Sequence, residues 1–416
     1  MSKLSDAEQN VEWDSNVRRR ANIAVTVVTT HAPSSRGWGG AVMSGVEAAN
    51  IIAGLLSQVV LVCCDANNRA GPVDRSVAER ATQAKLRLYK SRVATKLGFG
   101  WGAIPILFAE IRRADAAYVS GISTWPVTVA ALIAMLLQKP YIVSLHGGLL
   151  ATHVAEIRSH RRLKNFLYNV VVLPLVRRAA FVRVSSEFEK RDASLLIASD
   201  KIVAIPNTFD LSAIPYSQSN TDTPGTHLIY VGRLEADKGI RAFLQVWMSI
   251  AGEQDRISVL GSGDGSYAAD VLKLAAGDGR ISVLGEASRT QVYAELAGAH
   301  ALVLPSGLEG SLRENFGNVV VEALSVGRPA LVTRGLAWDQ LPANGIGWTF
   351  DPNKEELELV LRRLLGHKLA HDPEMSEKCR KFAEQHFSNA AARTALFDLI
   401  KRCVAARQKR IYSPEI

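Results

Sequence analysis

Short runs of β-branched and apolar residues alternate with longer helix-like segments along most of the chain. These runs predict strands at 22–28, 58–64, 116–119, 141–145, 180–184, 201–205, 227–231, 256–260, 280–284, 300–304 and 328–333. Strands that alternate with helices form parallel, doubly wound sheets. The pattern therefore predicts an α/β fold in which ligands bind at the carboxyl ends of the strands.

The chain divides into two halves of similar pattern. At 416 residues it is too long for one ordinary core, so two domains are expected. The polar, turn-rich stretch 215–226 is the predicted linker between Rossmann-like domains at 1–214 and 227–388. The last segment, 389–416, is predicted to contain a helix that crosses back onto the first domain.

Composition is consistent with two packed cores. Hydrophobic residues make up 48% of the chain, and the mean hydropathy is +0.06. The longest apolar segment, 127–137, covers about half a membrane span and predicts a buried helix. The first 20 residues lack the apolar centre of a secretory signal, so a cytoplasmic protein is expected. The four cysteines lack zinc-type spacing and are predicted to be reduced structural thiols: Cys63, Cys64, Cys379 and Cys403.

The net charge of +9 is concentrated in two basic groups. The first lies in the stretch 158–178, which contains no acidic residue, and consists of Arg158, Arg161, Arg162, Lys164, Arg177 and Arg178. The second consists of Lys85, Arg87, Lys90, Arg92 and Lys96. Such groups suit an anionic membrane surface, or they are merely solvated. Because they are not interleaved with aromatic residues and no binding motif is present, no nucleic acid partner is predicted.

The segment from Glu314 to Glu322 is the strongest candidate for a ligand site. It joins a loop that follows the apolar run 301–305 to a predicted helix at 317–327. The amino end of a helix favours phosphate. Glu314 and Glu322 are then placed to hold two hydroxyl-bearing groups on either side of a diphosphate. The alternative is that Glu322 lies on a solvated helix face, but its apolar neighbours make a buried carboxylate with a partner more plausible.

Other candidate residues follow predicted strands. Arg233 and Lys238 straddle a turn and suit a diphosphate, or they are solvent-facing bases of a capped loop. Gly261 and Gly263 form a glycine-rich turn, which is a weak signal because the rest of a dinucleotide fingerprint is absent. In the first half, two glycines begin a helix and a histidine precedes two glycines: Gly39, Gly40 and His146.

Taken in order, these motifs resemble the retaining glycosyltransferases of family 4, whose two Rossmann-like domains face each other across a cleft in the GT-B fold. The matching residues are Gly39-Gly40, His146-Gly147, Pro206-Asn207, 230–233 with Lys238-Gly239, 261–263, the segment from Glu314 to Glu322, and 327–329. They cover roughly residues 22–400. The ordered set is specific, although each member is not.

The resemblance implies a role for each site residue. Arg233 and Lys238 would bind the donor diphosphate, and Gly261 and Gly263 would line the donor site. Glu314 would hold sugar hydroxyls beside the N–H groups of Phe316, Gly317 and Asn318, and Glu322 would hold the ribose. Gly39 and Gly40 would approach the distal phosphate. His146 would contact the sugar near the reacting carbon, as a catalytic residue with Glu314. Glu309 lies in a longer loop than is usual, and its spacing to Glu322 does not fit the motif.

The resemblance also implies the reaction. A sugar would pass from a nucleotide diphosphate donor to a glycan or lipid-linked saccharide, in exopolysaccharide or lipopolysaccharide synthesis, with retention of configuration. No Asp-x-Asp sequence occurs, so no metal or other cofactor is expected. The enzyme would be cytoplasmic and peripheral on the inner membrane. A sugar-nucleotide 2-epimerase of the same fold and a noncatalytic sugar-nucleotide-binding protein remain alternatives.

Overall fold

The computed structural model describes residues 20–33, 40–67, 71–160, 162–216, 224–310, 314–366 and 372–412. These residues form two parallel sheets covered by helices on both faces, which confirms the α/β class and the GT-B architecture.

The first domain is built on a seven-stranded sheet of order β3-β2-β1-β4-β5-β6-β7. Its strands are β1 Ala21–His31, β2 Leu56–Cys64, β3 Lys85–Tyr89, β4 Ala116–Ser120, β5 Tyr141–Ser144, β6 Phe181–Val184 and β7 Ile202–Ala204. Its helices are α1 Gly40–Leu55, α2 Arg75–Arg80, α3 Ala103–Arg113, α4 Trp125–Leu136, α5 Ala151–His160, α6 Arg162–Leu167, α7 Leu173–Arg178 and α8 Glu187–Ser194. A single π-helical turn, Tyr168–Val172, joins α6 to α7.

The second domain repeats this topology in a six-stranded sheet of order β10-β9-β8-β11-β12-β13. Its strands are β8 His227–Val231, β9 Arg256–Leu260, β10 Ile281–Gly285, β11 Ala301–Leu304, β12 Ala330–Thr333 and β13 Gly347–Phe350. The helices that follow β8 are α9 Ile240–Ile250, α10 Ser266–Ala276, α11 Arg289–Gly298, α12 Asn318–Ser325, α13 Lys354–Gly366, α14 Pro373–Phe387 and α15 Asn389–Tyr412.

Each sheet reverses its strand order at one point. In the first sheet β1 lies between β2 and β4, and in the second β8 lies between β9 and β11. The loops that leave such a point diverge to opposite faces of the sheet and open a crevice at the strand ends. The loops after β8 and β11 carry Lys238 and Glu314, so the second switch point holds the main candidate residues.

All eleven predicted strands are present, and two strands were missed. β3 has the sequence Lys-Leu-Arg-Leu-Tyr at the edge of the first sheet, where alternate side chains meet solvent. Its Lys85 and Arg87 were interpreted only as part of the second basic group. β13 has four residues, which is too short to give a clear periodic signal. Edge strands need only one apolar face, so their sequences resemble polar loops.

Four apolar clusters fill the two faces of the two sheets. Helix α4 packs in one of them, as predicted for the apolar segment 127–137. Within the described ranges, no helix combines the length and apolarity needed to cross a bilayer. All four cysteines are buried and free.

The chain crosses between the domains at two adjacent points. The backbone of Phe209 donates to Phe387 and accepts from Asn389. Phe209, Leu211 and Ile214 already pack in the second core, so the crossing precedes the predicted linker 215–226, of which 217–223 lies outside the described residues. Helix α15 then packs on α1 of the first domain, with Leu396 and Ile400 in that domain's core.

Candidate active site

The loop between β11 and α12 turns sharply at Gly317. Its φ is 67°, in the left-handed region, and a Cβ there would lie 2.8 Å from Cδ2 of Leu304. Glycine is therefore required at this position. The preceding Phe316 is buried, and its carbonyl accepts a hydrogen bond from Trp338 Nε1. Helix α12 begins at Asn318 in a fixed direction, with its free N–H groups at the carboxyl end of β11.

Glu314 lies just before this turn and contacts two donors. Its Oε1 accepts from the N–H of Gly317 at 3.1 Å, and its Oε2 accepts from Lys238 Nζ at 3.0 Å. Lys238 comes from the loop after β8, and both side chains are largely buried. The switch point thus gathers a carboxylate, an ammonium group and the positive end of a helix.

Arg233 makes a different contact from Lys238. Its guanidinium is mostly exposed and pairs with Glu235 at 2.6 Å. The structure therefore brings Lys238, but not Arg233, into contact with Glu314. Their joint role in holding a diphosphate stays a prediction.

The glycine-rich turn after β9 packs backbone against backbone on the Arg233 loop. Gly261 has a φ of 145°, and a Cβ there would lie 1.8 Å from the carbonyl oxygen of Gly232. A Cβ on Gly263 would lie 2.4 Å from the carbonyl oxygen of Leu234. These two positions need glycine for packing between the loops, whatever ligand they contact. Their role in donor binding stays a prediction.

Glu322 is buried on α12 and has a partner, as its apolar surroundings suggested. Arg289, the first residue of α11, donates a hydrogen bond to Glu322 Oε1. Burial raises the pKa of Glu322, and the charge of Arg289 opposes that rise. Arg289 also donates to the hydroxyl of Tyr293 at 3.0 Å. Arg289 thereby orients the carboxylate of Glu322, which lies about one turn into α12.

Glu309, the other carboxylate in the loop before Glu314, contacts residues of α9 and α10. It pairs with Arg241 at 2.9 Å and accepts from the hydroxyl of Tyr267 at 2.7 Å. It also accepts from the backbone N–H of Ala242 at the start of α9. These contacts fix the loop to α9, which is a structural role, and they separate Glu309 from the Glu314 contacts.

His146 follows β5 in the first domain with a strained backbone. Its φ is 48°, which is unusual for a residue other than glycine, and Gly147 has a φ of 81°. The ring Nε2 lies 2.8 Å from Ser120 Oγ at the end of β4. Burial, followed by the nearby charge of Arg183, lowers the pKa of His146 to about 3. The imidazole is therefore neutral at physiological pH and serves as a hydrogen-bonding group.

The first and second domains touch beside α12. Asn207 Nδ2 donates to Asn318 Oδ1 at 3.0 Å, and a Cβ on Gly40 would lie 2.4 Å from Asn318 Nδ2. Gly40 begins α1, so two helix amino ends, those of α1 and α12, lie at this contact. Gly39, the other predicted glycine, lies outside the described residues.

This geometry suits a ligand with a central anion flanked by hydroxyl groups. The end of α12 and Lys238 supply positive charge, whereas Glu314 and Glu322 supply acceptors on either side. His146 lies in the first-domain loop whose next residue, Gly147, packs against Asn315.

Family profiles match most of the chain. The profile described as "Glycosyl transferase 4-like domain" matches residues 18–208, and "Glycosyl transferases group 1" matches residues 217–386. The chain belongs to the group 1 glycosyltransferases.

Curated relatives of this glycosyltransferase are distant. The GDP-mannose:cellobiosyl-diphosphopolyprenol alpha-mannosyltransferase of Xanthomonas oryzae pv. oryzae is 28% identical over 232 residues, which are 54% of this chain and 57% of that protein. The lipopolysaccharide 1,2-N-acetylglucosaminetransferase of Salmonella typhimurium is 23% identical over 277 residues, which are 62% and 72%. Among solved structures, Anabaena HepE in complex with UDP has a TM-score of 0.70 at 16% identity, covering 91% of this chain and 100% of HepE.

Sequence reasoning missed Arg289, Arg183 and Glu189, which orient the candidate site of the glycosyltransferase. Arg289 follows the N-cap Ser288, so a helix start was visible but the partner on α12 was not. Arg183 lies within β6, and its guanidinium is buried. Glu189 resembles a surface residue in the charged run of α8 but is fully buried.

We expect His146 not to titrate near neutral pH. Because its pKa is lowered to about 3 from an unfolded value of 6.5, only the unfolded chain takes up this proton between those values. Stability should therefore fall as pH decreases below 6.5, by at most about 1.4 kcal/mol per pH unit from this group. The measurement is chemical unfolding of wild type and His146→Asn at pH 7 and pH 5. An equal pH dependence in both proteins would contradict the prediction, as would a protonated His146 in ¹⁵N NMR spectra at pH 5.

Gly261→Ala should destabilise the second domain, because the added Cβ meets the carbonyl of Gly232. We expect a loss of more than about 2 kcal/mol in the free energy of unfolding. Gly265→Ala is the matched control, since Gly265 also has a positive φ, of 90°, but no atom within 4 Å of the added Cβ. Its backbone, with ψ of −168°, lies in a region essentially restricted to glycine, so strain alone should cost about 1–3 kcal/mol, and the loss in Gly261→Ala should exceed it. Urea unfolding compares the two, and equal losses would remove the packing argument.

Proposed function

We propose that the protein is a retaining, metal-independent glycosyltransferase that moves a hexosyl group from a nucleotide diphosphate sugar to a glycan or lipid-linked saccharide. The observation that carries this proposal is the meeting of Lys238, Glu314 and the amino end of α12 at the second switch point. The process it would serve is exopolysaccharide or lipopolysaccharide synthesis. In support, one relative named above is a lipopolysaccharide transferase, and the name of the other gives a cellobiosyl-diphosphopolyprenol acceptor.

The diphosphate of the donor would lie against the end of α12. As the glycosyl–phosphate bond breaks, negative charge develops on the leaving diphosphate. Lys238, the helix N–H groups and Arg233, after release from its exposed pair with Glu235, would stabilise that charge. Fixed donors of this kind act without a metal ion.

Glu314 and His146 would act on the sugar. Glu314 would exchange its contact with Lys238 for sugar hydroxyls, while Lys238 turns to phosphate. Neutral His146 would hydrogen-bond the sugar near its anomeric carbon. The acceptor oxygen forms a bond to the anomeric carbon, and the bond between that carbon and the phosphate oxygen breaks. The proton of the acceptor hydroxyl leaves with the released nucleoside diphosphate. Glu322, held by Arg289, would accept from the ribose.

The relatives indicate which classes of donor and acceptor to test, but they do not identify the donor or the acceptor of this protein. The printed names give GDP-mannose and a diphosphopolyprenol for one relative and lipopolysaccharide for the other. HepE was solved with UDP. UDP and GDP sugars are therefore the donors to test, with lipid-linked acceptors.

An apolar stripe on the first domain supports the proposed attachment to the cytoplasmic face of the inner membrane. Its members follow the spacing i, i+3, i+4, i+7 along α6 and the π-helical turn, and all face solvent. They are Leu163, Phe166, Leu167 and Val170, at 72, 60, 47 and 56% exposure. Exposed Arg158 and Arg162 lie nearby in the chain. An apolar face flanked by cations suits an anionic bilayer.

The stripe is connected to the candidate site. Tyr168, on the opposite side of the same helix, is buried and donates from its hydroxyl to the carbonyl of Gly148 at 2.9 Å. Gly148 belongs to the His146 loop. A bilayer against the stripe would thus lie near the side of the domain that receives a lipid-linked acceptor.

The second basic group supports membrane contact less than the first basic group does. Arg87 pairs with Glu110 at 3.1 Å, and Arg92 pairs with Asp65 at 2.7 Å. These pairs neutralise part of its charge, so the proposed membrane surface is the stripe and the first basic group.

Donor turnover tests the proposed reaction. UDP and GDP sugars are screened by released nucleotide and by mass spectrometry, with and without bacterial lipid extract and EDTA. We expect acceptor-dependent turnover that survives EDTA and falls at least about 100-fold in Glu314→Gln. Glu309→Gln, in the same loop, is the control and should stay within a few-fold. Conversion of the donor to an epimer without any acceptor would instead identify the 2-epimerase, and binding without turnover would identify a noncatalytic protein.

Vesicle sedimentation tests the membrane surface. Wild type should bind anionic phosphatidylglycerol vesicles, bind neutral phosphatidylcholine vesicles weakly, and be released by salt. Leu163→Asp with Phe166→Asp should weaken binding at least about tenfold, because two large apolar side chains no longer enter the bilayer. Leu272→Asp is the control, an exposed leucine on α10 of the second domain. Equal binding by the double variant and wild type would exclude the stripe.

A further inference from the structure

The carboxylate of Glu189 connects the two domains at the candidate site. Glu189 lies on α8 of the first domain and is fully buried. Its Oε1 accepts from the backbone N–H of Gly147 at 2.5 Å, and its Oε2 accepts from the N–H and hydroxyl of Ser185 at 2.7 and 2.8 Å. From the second domain, Asn315 Nδ2 lies 3.3 Å from Oε2 and 3.0 Å from Ser185 Oγ. Four donors therefore surround one buried carboxylate.

Helix capping alone does not account for these contacts. Ser186 is the N-cap of α8, and its hydroxyl accepts from the N–H of Glu189. A residue at this position of a helix commonly returns its side chain to the N-cap backbone. Glu189 instead bonds Ser185, one residue earlier, and extends to Gly147 and Asn315. The last two contacts add nothing to the end of α8, but they join two loops of the candidate site.

The residues at both ends of the connection are critical for the proposed chemistry. Gly147 follows His146, whose left-handed backbone is held by the bond from Gly147 to Glu189. Asn315 follows Glu314, which contacts Lys238. A Cβ on Gly147 would lie 2.9 Å from Cβ of Asn315, so glycine permits this approach. The amide nitrogen of Asn315 must face Glu189, because a carboxylate accepts hydrogen bonds and does not donate them.

A second contact lies on the other side of the Phe316-Gly317 turn. Asn318 accepts from Asn207, whose Oδ1 accepts from Arg183 Nη2 at 3.2 Å. Arg183 Nη1 in turn donates to Ser144 Oγ at 3.2 Å, at the end of β5 just before the His146 loop. Both flanks of the turn are thus linked to both flanks of the His146 loop, and only approach of the two domains can form these links.

We propose that Glu189 is a positioning residue that fixes the His146 loop when Asn315 docks on it as the domains close over the donor. This inference rests on the proposed function. The segment from Glu314 to Glu322 would then contain both the proposed sugar-binding carboxylate, Glu314, and the residue that contacts the first domain on closure, Asn315. Donor binding at Lys238 and Glu314 would then be coupled to placement of His146 through one hydrogen-bonded carboxylate.

The test substitutes Asn315 and Glu189 singly and then exchanges the amide and the carboxylate between the two positions. Asn315→Asp places two carboxylates against each other, and Glu189→Gln loses acceptors for its four donors. In the combined variant, the new amide at position 189 retains an oxygen for Gly147 and can donate an N–H group to the new carboxylate at position 315, but the backbone N–H of Ser185 loses its acceptor. We expect kcat to fall about tenfold to hundredfold in each single variant, the range for losing a hydrogen bond to a charged group. The combined variant should recover only in part, by about threefold or more over Asn315→Asp, because the charge repulsion is removed while the Ser185 N–H stays unpaired.

The controls separate positioning from a general structural role. Nucleotide Kd should weaken in the Asn315 variants only by the factor that closure contributes, because a nucleotide that favours the closed protein must bind it more tightly while the groups proposed to bind the nucleotide are unchanged. Glu187→Gln, an exposed neighbour on α8, should match wild type. Melting temperatures identify variants that fail to fold, and Asn315→Leu then tests the contact without an added charge. Wild-type kcat in both Asn315→Leu and Asn315→Asp would overturn the proposal.

Domain closure is measured without turnover. Because all four native cysteines are buried, Glu79→Cys and Glu358→Cys provide one exposed labelling site in each domain. Fluorescence energy transfer between them should increase with UDP or GDP in the otherwise wild-type protein and not in Asn315→Asp. Equal closure in both proteins would overturn the proposal. Absence of turnover with every donor would count against the proposed function alone, since the closure readout is independent of it.

Discussion

The left-handed turn at Gly317 is the constraint on which the candidate site depends. Leu304 leaves no room for a side chain there, and Trp338 holds the carbonyl of Phe316. The turn therefore sets where α12 begins and where its amino end points. It also fixes the preceding residues, so that Glu314 reaches Lys238 in its own domain while Asn315 reaches the first domain.

The charges around this turn are paired within the protein. Lys238 pairs with Glu314, and Arg289 with buried Glu322. Burying any of these charges alone would be costly, so each pair lowers the cost of keeping the other group in place. A donor with a diphosphate and hydroxyl groups offers the same two charges new partners, with phosphate for the cation and hydroxyls for the carboxylate. His146 differs because burial beside Arg183 keeps it neutral.

The first domain combines a rigid scaffold with two distinct surfaces. Its sheet holds His146 through Ser120, and buried Arg183 and Glu189 hold the flanks of the His146 loop. Outside this scaffold, the helix that bears the apolar stripe is attached to the same loop by Tyr168. The proposed membrane surface and the proposed closure contact therefore converge on one loop, from its outer and inner sides.

The α/β class, eleven of the thirteen strands and the family could be predicted from the sequence, because buried parallel strands are continuous apolar runs and the motifs are local. It also indicated that Glu322 would need a partner. The folded structure was needed to identify that partner as Arg289, 33 residues away, and to show that Lys238 rather than Arg233 contacts Glu314. It also showed Glu189 and Arg183 buried beneath His146, although both occur in charged or strand segments that predict no such role. Pairings of this kind depend on which loops the strand order brings together, and the spacing of residues along the chain does not reveal the strand order.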